Sequence, residues 1–358
     1  MTGGAGLAVA GIGASYIALR GMGSMEEYNA SVAETRAALK EAPETNDLVR
    51  YATLAANSHN TQPWRFRISH TGMEILPDMS RQVTIVDPDN HHLFASLGCA
   101  AENLAMACAT CGKPGELSFD PSNGGRLMFA FGSGPTVDRA MFDAIAKRQS
   151  TRGEYDGKAV SAFDLKALYS AAVMPGIDLV LVTDRPLIDR VRDLVIAGNN
   201  RQMADPAFMR ELKSWLRFSP RQAMETGDGL FSATSGNPVL PAWLGPLLLD
   251  FVFKADAENE KYARHIASSA GIAIFVAQKN DPEHWVLAGR ACQRFALQAT
   301  ALGLKHAFIN QPVEVAGLRP ELADLVGLPG RRPDIVMRFG YGPTLPYSAR
   351  RPVEAVLA

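Results

Sequence analysis

Apolar and polar positions divide the chain into two successive series of helices and strands. Residues 24–56 are rich in Ala, Glu and Leu and read as helical until Ser58-His-Asn-Thr-Gln-Pro63 breaks the run. Residues 64–68 alternate as a strand, and residues 73–76 fold back on them through Thr71-Gly72. A long apolar helix over 93–111 and a strand over 126–131 follow, with Gly132-Ser-Gly-Pro135 as a boundary. The second series opens with a helix over 137–147 that ends at Arg148-Gln-Ser-Thr-Arg152. It continues with a helix at 162–172, a strand at 177–182 and helical periodicity from 186 to 216, broken at Asp205-Pro206. Residues 217–245 hold Pro, Gly, Ser and Thr without a period and read as a long irregular insertion, the kind of loop that often covers a site. A buried strand at 272–276, a long helix at 285–302, a short strand at 305–309, a helix at 314–326 and a last interior strand at 333–339 complete the chain.

Both series follow helix, strand, long apolar helix, strand. The class is therefore α/β or α+β, a sandwich of helices against sheets in the second case, with a degenerate internal duplication. The expected division is an apolar N-terminal segment (1–23), a first half (24–135) and a second, more complete half (136–358) that carries the 217–245 insertion.

Composition narrows the functional classes. The chain has 358 residues, 47% of them hydrophobic, with 36 Lys and Arg against 37 Asp and Glu. A formal net charge of -1 argues against nucleic acid as a partner, so any positive site must be local. Four cysteines are too few for a disulfide framework. Cys108 and Cys111 form a C-x-x-C at the end of an apolar helix, away from the N-terminal dipole that would activate a redox pair, and read as small core residues. The seven histidines show no metal-ligand spacing, so no metal site is expected, and His91-His92 reads as part of a helix cap. There is no G-x-G-x-x-G after a strand, no P-loop, no H-E-x-x-H and no G-x-S-x-G. Residues 3–19 are apolar, Gly/Ala-rich and uncharged, and end at Arg20. They resemble the hydrophobic part of an export signal without its basic leader, or a membrane anchor, against the alternative of an unstructured tail. Localisation is exported or membrane-associated on the first reading and cytoplasmic on the second.

Two constellations can carry chemistry. The run Asn57-Ser58-His59-Asn60-Thr61-Gln62-Pro63-Trp64 concentrates hydrogen-bonding side chains in a turn between helix and strand, suited to the edge of a flat polar heterocycle. Arg148, Ser150 and Arg152 stand at alternate positions where a helix gives way to a turn, and Arg350 and Arg351 lie near the C-terminus. Guanidiniums and a hydroxyl on one side suit a phosphate. By composition alone, the first is equally a helix C-cap and the second a solvated surface.

Together these motifs resemble the nitroreductase family of FMN proteins. Ser58-His-Asn-Thr-Gln-Pro-Trp64 is similar to that family's flavin-contacting turn, and Lys147-Arg-Gln-Ser-Thr-Arg152 to its R-x-S-x-[RK] run. Gly303-Leu-Lys-His-Ala-Phe-Ile309, Leu325-Val-Gly-Leu-Pro329 and Val336-Met-Arg-Phe-Gly-Tyr341 resemble its C-terminal half. The likeness runs from about residue 30 to the end. The turn precedes the arginine run here, the reverse of the usual order. That is similar to the fused, Acg-like branch, in which two half-equivalents share one chain as an intramolecular pseudo-dimer. The resemblance implies one FMN per chain. Asn57, Ser58, Asn60 and Gln62 would come from the first half, and Arg148, Ser150, Arg152 and Arg350 from the second. Asn310 stands where many members carry an acidic residue near the flavin's reactive edge, and Ala56 and Asn57 replace the usual Pro and Ser. The implied activity is ping-pong transfer from NAD(P)H through FMN to a small nitroaromatic, quinone or activated alkene, in a monomer or a loose homodimer. No side chain is nominated as catalytic acid. The alternative is a protein that stores or sequesters FMN beneath residues 217–245.

Overall fold

The computed structural model describes residues 21–40, 43–134 and 139–358. The apolar segment at 3–19, the division at 135/136 and the start of the helix expected at 137 lie outside the described residues.

The helical run at 24–56 is two helices. The first, α1 (Met25–Thr35), begins with a capping box in which Ser24 Oγ accepts from Glu27 N at 3.0 Å and Glu27 Oε2 accepts from Ser24 N at 2.9 Å. The second, α2 (Thr45–Thr53), follows Pro43. Strands β1 (Trp64–Ile68) and β2 (Gly72–Pro77) form the expected hairpin, in register from Trp64 opposite Pro77 to Ile68 opposite Met73. After α3 (His91–Thr110) come β3 (Gly115–Asp120) and β4 (Arg126–Phe131), and the antiparallel order is β1-β2-β4-β3. Strand β3 was not foreseen. Its Gly-Glu-Leu-Ser-Phe-Asp offers only Leu117 and Phe119 to one face, too few for the pattern to stand out.

The second series repeats the plan. Helices α4 (Ala140–Ile145) and α5 (Ala162–Ala172) lead to β5 (Ile177–Val182). A helical excursion separates β5 from its partner: α6 (Arg185–Met203), α7 (Pro206–Trp215), β6 (Leu216–Arg217), α8 (Pro220–Thr226), β7 (Leu230–Phe231), α9 (Gly245–Val252) and α10 (Ala255–Ala267). The stretch 217–245 is thus not wholly irregular. It contains α8, whose N-cap Ser219 accepts from Gln222 N, and a short parallel pair β6-β7. Then come β8 (Gly271–Ala277), α11 (Pro282–Ala301), β9 (Lys305–Phe308), α12 (Gln311–Glu314), α13 (Arg319–Leu325) and β10 (Pro333–Gly340). The helix expected at 314–326 is therefore interrupted; Pro320 can only sit in a helix's first turn, and it opens α13. The antiparallel order is β5-β8-β10-β9. In both sheets the first strand pairs with the second, the second with the fourth and the fourth with the third. In both, a helix of 20 residues links the second strand to the third.

Those two helices cross at the centre. Each contributes a glycine as its eighth residue, Gly98 in α3 and Gly289 in α11. A Cβ on Gly98 would overlap the carbonyl oxygen of Val286, and one on Gly289 that of Ala95. Each glycine therefore meets the residue three before the other, the reciprocal contact of a two-fold axis. Cys99 Sγ donates to Gly289 O at 3.1 Å. One turn further on, the buried carboxylate of Glu102 accepts from Arg290 Nε at 2.9 Å and Arg294 Nη1 at 2.8 Å, and Gln293 Nε2 donates to Asn103 Oδ1 at 2.7 Å. Although α3 is long and apolar enough to cross a membrane, it is almost wholly buried in this core. Its N-terminus is fastened to the second sheet by the buried His91–Asp334 contact of 2.8 Å. Burial pushes the Asp334 carboxyl up to about 7 and His91 down to about 3.

The chain after β10 returns across the first half. Tyr28 Oη donates to Tyr347 O at 2.6 Å, Arg65 Nη2 to Leu357 O at 2.8 Å, and Ala358 N to Phe66 O at 2.9 Å. The tail thus lies along β1 as a partial extra strand.

The crossing tolerates no side chain at either glycine. Gly289→Ala should destabilise the fold by about 3 kcal/mol, the scale of overpacking in a rigid core, read as a fall in the urea midpoint at unchanged slope. A loss below about 0.5 kcal/mol would show that the helices can slide apart at no cost.

Candidate functional site

The turn that follows α2 is held against its own backbone preference. His59, Asn60 and Gln62 all have positive φ (48°, 54° and 54°), a left-handed conformation that costs non-glycine residues roughly 1 kcal/mol or more each. The surroundings impose it. Asn57 Oδ1 accepts from Gln62 N at 2.9 Å across the turn. Asn60 Nδ2 donates to Gly229 O at 3.1 Å and Ala349 O at 3.2 Å, while its Oδ1 accepts from Arg350 at 2.9 Å. Gln62 Nε2 donates to Gly227 O at 2.8 Å, and its Oε1 accepts from Arg351 N at 2.9 Å. Gly227 is itself left-handed at φ 63°, and a Cβ there would press on the backbone of Arg350 and Arg351. The fully buried Trp64 anchors the exit into β1.

Beneath the turn, two arginines cap the C-terminus of α2. Arg350 Nε donates to Thr53 O at 2.6 Å and its Nη2 to Ala55 O at 3.1 Å; Arg148 Nη2 donates to Leu54 O at 2.9 Å. Cations belong at that end of a helix dipole. Asn60, Gln62 and Arg350 therefore spend their polar groups on the scaffold. Arg148 is buried, and its Nε has no partner. Ser150 joins the second sheet through a backbone bridge to His306.

The open face of the turn borders a cavity of about 300 Å³, the low end for small-molecule sites. Of the residues expected from the sequence, Asn57, Ser58, Arg152 and Asn310 line it; Asn60, Gln62, Arg148, Ser150 and Arg350 stand behind. The floor is Ala95, Ser96 and Cys99 of α3, with Ser96 Oγ accepting from Ser58 N at 3.3 Å. Asn310 Oδ1 accepts from Val336 N at 2.9 Å, which fixes its orientation at the rim of the second sheet. Arg152 has no carboxylate within ion-pair distance among the described residues. Lys261, Tyr262 and His265 of α10 complete that part of the wall, together with Glu258, which Lys261 approaches at 3.8 Å.

The electrostatics of the wall favour an anion. Burial, then the charge of Arg152, lowers His59 to about 4. Burial, then Arg338 and Lys261, lowers His265 to about 3. Both rings are neutral at pH 7; Lys261 has Glu258 at 3.8 Å, and Arg152 has no carboxylate partner among the described residues.

The sequence did not single out His59, His92, Asn199, Gln202, Glu314 or the α10 residues, all of which face the cavity. His59 lies inside the motif, where its left-handed backbone turns it outward. Asn199 and Gln202 are polar on an otherwise apolar face of α6, the one signal that could have found them. Opposite these polar groups the excursion supplies an apolar wall: Phe208, Leu212, Phe218, Leu230, Phe231, Leu249 and Phe253. It is fastened through Asp228, which pairs with Arg217 at 2.6 Å and with Arg81, whose Nε also donates to Thr61 O in the turn.

The chain is similar in sequence to known proteins over most of its length. Over 330 residues the chain is 27% identical to the Mycobacterium tuberculosis (strain ATCC 25618 / H37Rv) protein named "Putative NAD(P)H nitroreductase Rv3131", covering 88% of this chain and 92% of that one. It is 23% identical over 327 residues to "Putative NAD(P)H nitroreductase acg" of the same strain, covering 86% and 93%. Among solved structures, the FMN-dependent nitroreductase NfnB from Mycobacterium smegmatis in complex with NADPH aligns with 57% of this chain and 88% of its own, at 13% identity and a TM-score of 0.38. The profile of the Nitroreductase family matches residues 145–342, more than half of the chain and the whole second sheet, and the chain belongs to that family.

Proposed function

We propose that this protein is an FMN-dependent NAD(P)H oxidoreductase in which one flavin sits between two fused halves, each the equivalent of one subunit of a dimeric relative. One observation carries the reading: a single cavity joins the Asn57–His59 turn of the first half to the unpaired guanidinium of Arg152 in the second. The donor set fits FMN. Arg152 and Lys261 neutralise the phosphate, Asn57, Ser58 and Asn310 meet the polar edge of the ring, and the apolar wall covers its face. Asn60, Gln62, Arg148 and Arg350 support the site by forcing the turn into shape, and Ser150 by docking its segment on β9.

When bound, the flavin supplies the two-electron chemistry. The chain's part is to fix the ring, exclude water and hold donors where negative charge grows on reduction. The NAD(P)H nitroreductase name of the 27%-identical relative supports a nicotinamide as donor. The acceptor is a small flat molecule, a nitroaromatic, quinone or activated alkene, which would replace the spent nicotinamide in a ping-pong cycle.

The apolar wall tied down by Asp228 favours a second reading, storage of FMN in a site that no nicotinamide enters. Anaerobic addition of NADH or NADPH separates the two. Bleaching of the flavin absorbance within seconds supports the oxidoreductase; bleaching by dithionite alone supports storage. Either way the purified protein is yellow, with one FMN per chain. Arg152→Ala should weaken retention about 100-fold, the scale of a buried charge-assisted contact. A colourless parent protein would sink both readings.

A further inference from the structure

We propose that Glu314 is the proton donor to the acceptor, an inference that rests on the oxidoreductase reading and adds a residue to it. Glu314 of α12 faces the cavity together with Gln202 of α6 and His92 of α3. Gln202 Nε2 donates to Glu314 Oε2 at 2.6 Å. His92 is more than nine-tenths buried, and its Nε2 has no hydrogen-bond partner. An unsatisfied ring nitrogen and a carboxyl thus share one polar corner of a largely apolar chamber. That combination is costly unless a ligand or a proton uses it.

Other side chains in the chamber are poor proton sources near neutral pH. His59 and His265 are held neutral, and burial pushes Tyr262 up to about 12. Burial also raises the second carboxyl, Glu258, but Lys261 at 3.8 Å works against the proton there, a paired cation that Glu314 lacks. Glu314 has no cation within ion-pair distance among the described residues. Its surroundings are mixed: Asp87, before α3, favours the protonated form, whereas His92, Gln202 and Arg319 of α13 favour the anion, and Tyr262 of α10 also faces it. Burial dominates, so the carboxyl keeps its proton to higher pH than an exposed glutamate.

Two-electron reduction of a quinone, nitro group or activated alkene also consumes protons. The two electrons come from the nicotinamide by way of the flavin. The O–H bond of Glu314 breaks, its electron pair stays on the carboxylate, and the proton bonds to the acceptor heteroatom or carbon. The carboxylate recovers its proton from solvent that enters the cavity between turnovers. Gln202 is a positioning residue. It fixes the carboxyl rotamer and, by donating to the anion, moderates its pKa.

The signs follow. Donation requires the protonated acid, so acceptor reduction falls as pH rises through the Glu314 pKa. Glu314→Gln should slow that half-reaction about 100-fold and remove this limb, the usual scale for a lost general acid. Gln202→Leu removes a donor to the anion and should move the limb to higher pH. The protonated-carboxyl stretch in the infrared spectrum of the parent protein should be one carboxyl weaker in Glu314→Gln, a readout independent of turnover. An unchanged pH profile in Glu314→Gln overturns the proposal. If that variant does not fold, an unmoved limb in Gln202→Leu overturns it. A parent protein that no nicotinamide reduces defeats the functional reading instead, while the infrared difference still reports on Glu314.

Discussion

The close approach of α3 and α11 sets the distance between everything on one sheet and everything on the other. With Gly98 and Gly289 at the crossing, main chain meets main chain, and no side chain can act as an adjustable spacer. The cavity depends on that distance directly. Its floor is the stretch of α3 that includes Ala95 and Cys99, and α11 holds the entrance of the motif turn through Gln293, whose Oε1 accepts from Ala56 N at 3.3 Å. A shift between the halves would move the turn away from Arg152. Glu102, caught between Arg290 and Arg294, adds direction to the contact, because a buried carboxylate must keep both partners.

The turn shows how a short motif divides into residues that line a cavity and residues that hold them there. Three left-handed residues within four positions cannot persist on local preference alone. Asn60 and Gln62 offset the strain by bonding to the tail at 349–351 and to the Gly227–Gly229 loop of the excursion. The cavity-facing geometry of Asn57 and Ser58 is therefore a property of the whole chain. It exists only when the first half, the excursion and the C-terminal tail are assembled, which couples formation of the site to completion of the fold.

Much of this was legible in the sequence where one period or one motif dominated. The strand over 177–182, the two long helices and the hairpin emerge because each buries a continuous apolar face. The repeat of helix, strand, long helix, strand was also visible, and the matched strand order gives it a physical form. What stayed hidden depends on tertiary partners. Strand β3 is held by pairing with β4 rather than by its own pattern. Within and after 217–245, the helices take their order from docking on others, α8 on α1 and α10 on α6. The same reason explains the site residues that went unseen. Arg350 reads as a phosphate ligand from composition, yet in the fold its charge meets the open carbonyls of α2. Glu314 reads as an ordinary helix residue until Gln202, distant in sequence, comes within hydrogen-bonding reach.

The distribution of charge in the cavity bears on more than one ligand. At the Arg152 side, cations are fixed and the histidines are neutral, so bound negative charge is stabilised without any group having to titrate. At the Glu314 side, burial and Asp87 work against ionisation. One chamber thus holds a region that favours an anion and a region that favours a neutral acid, with Tyr262 interacting with both. The two are linked. An anionic group bound near Arg152 adds negative potential, which raises the pKa of Glu314 further and keeps its proton available. Loading the site would then prepare the acid, and the apolar wall opposite both would limit the water that reaches them.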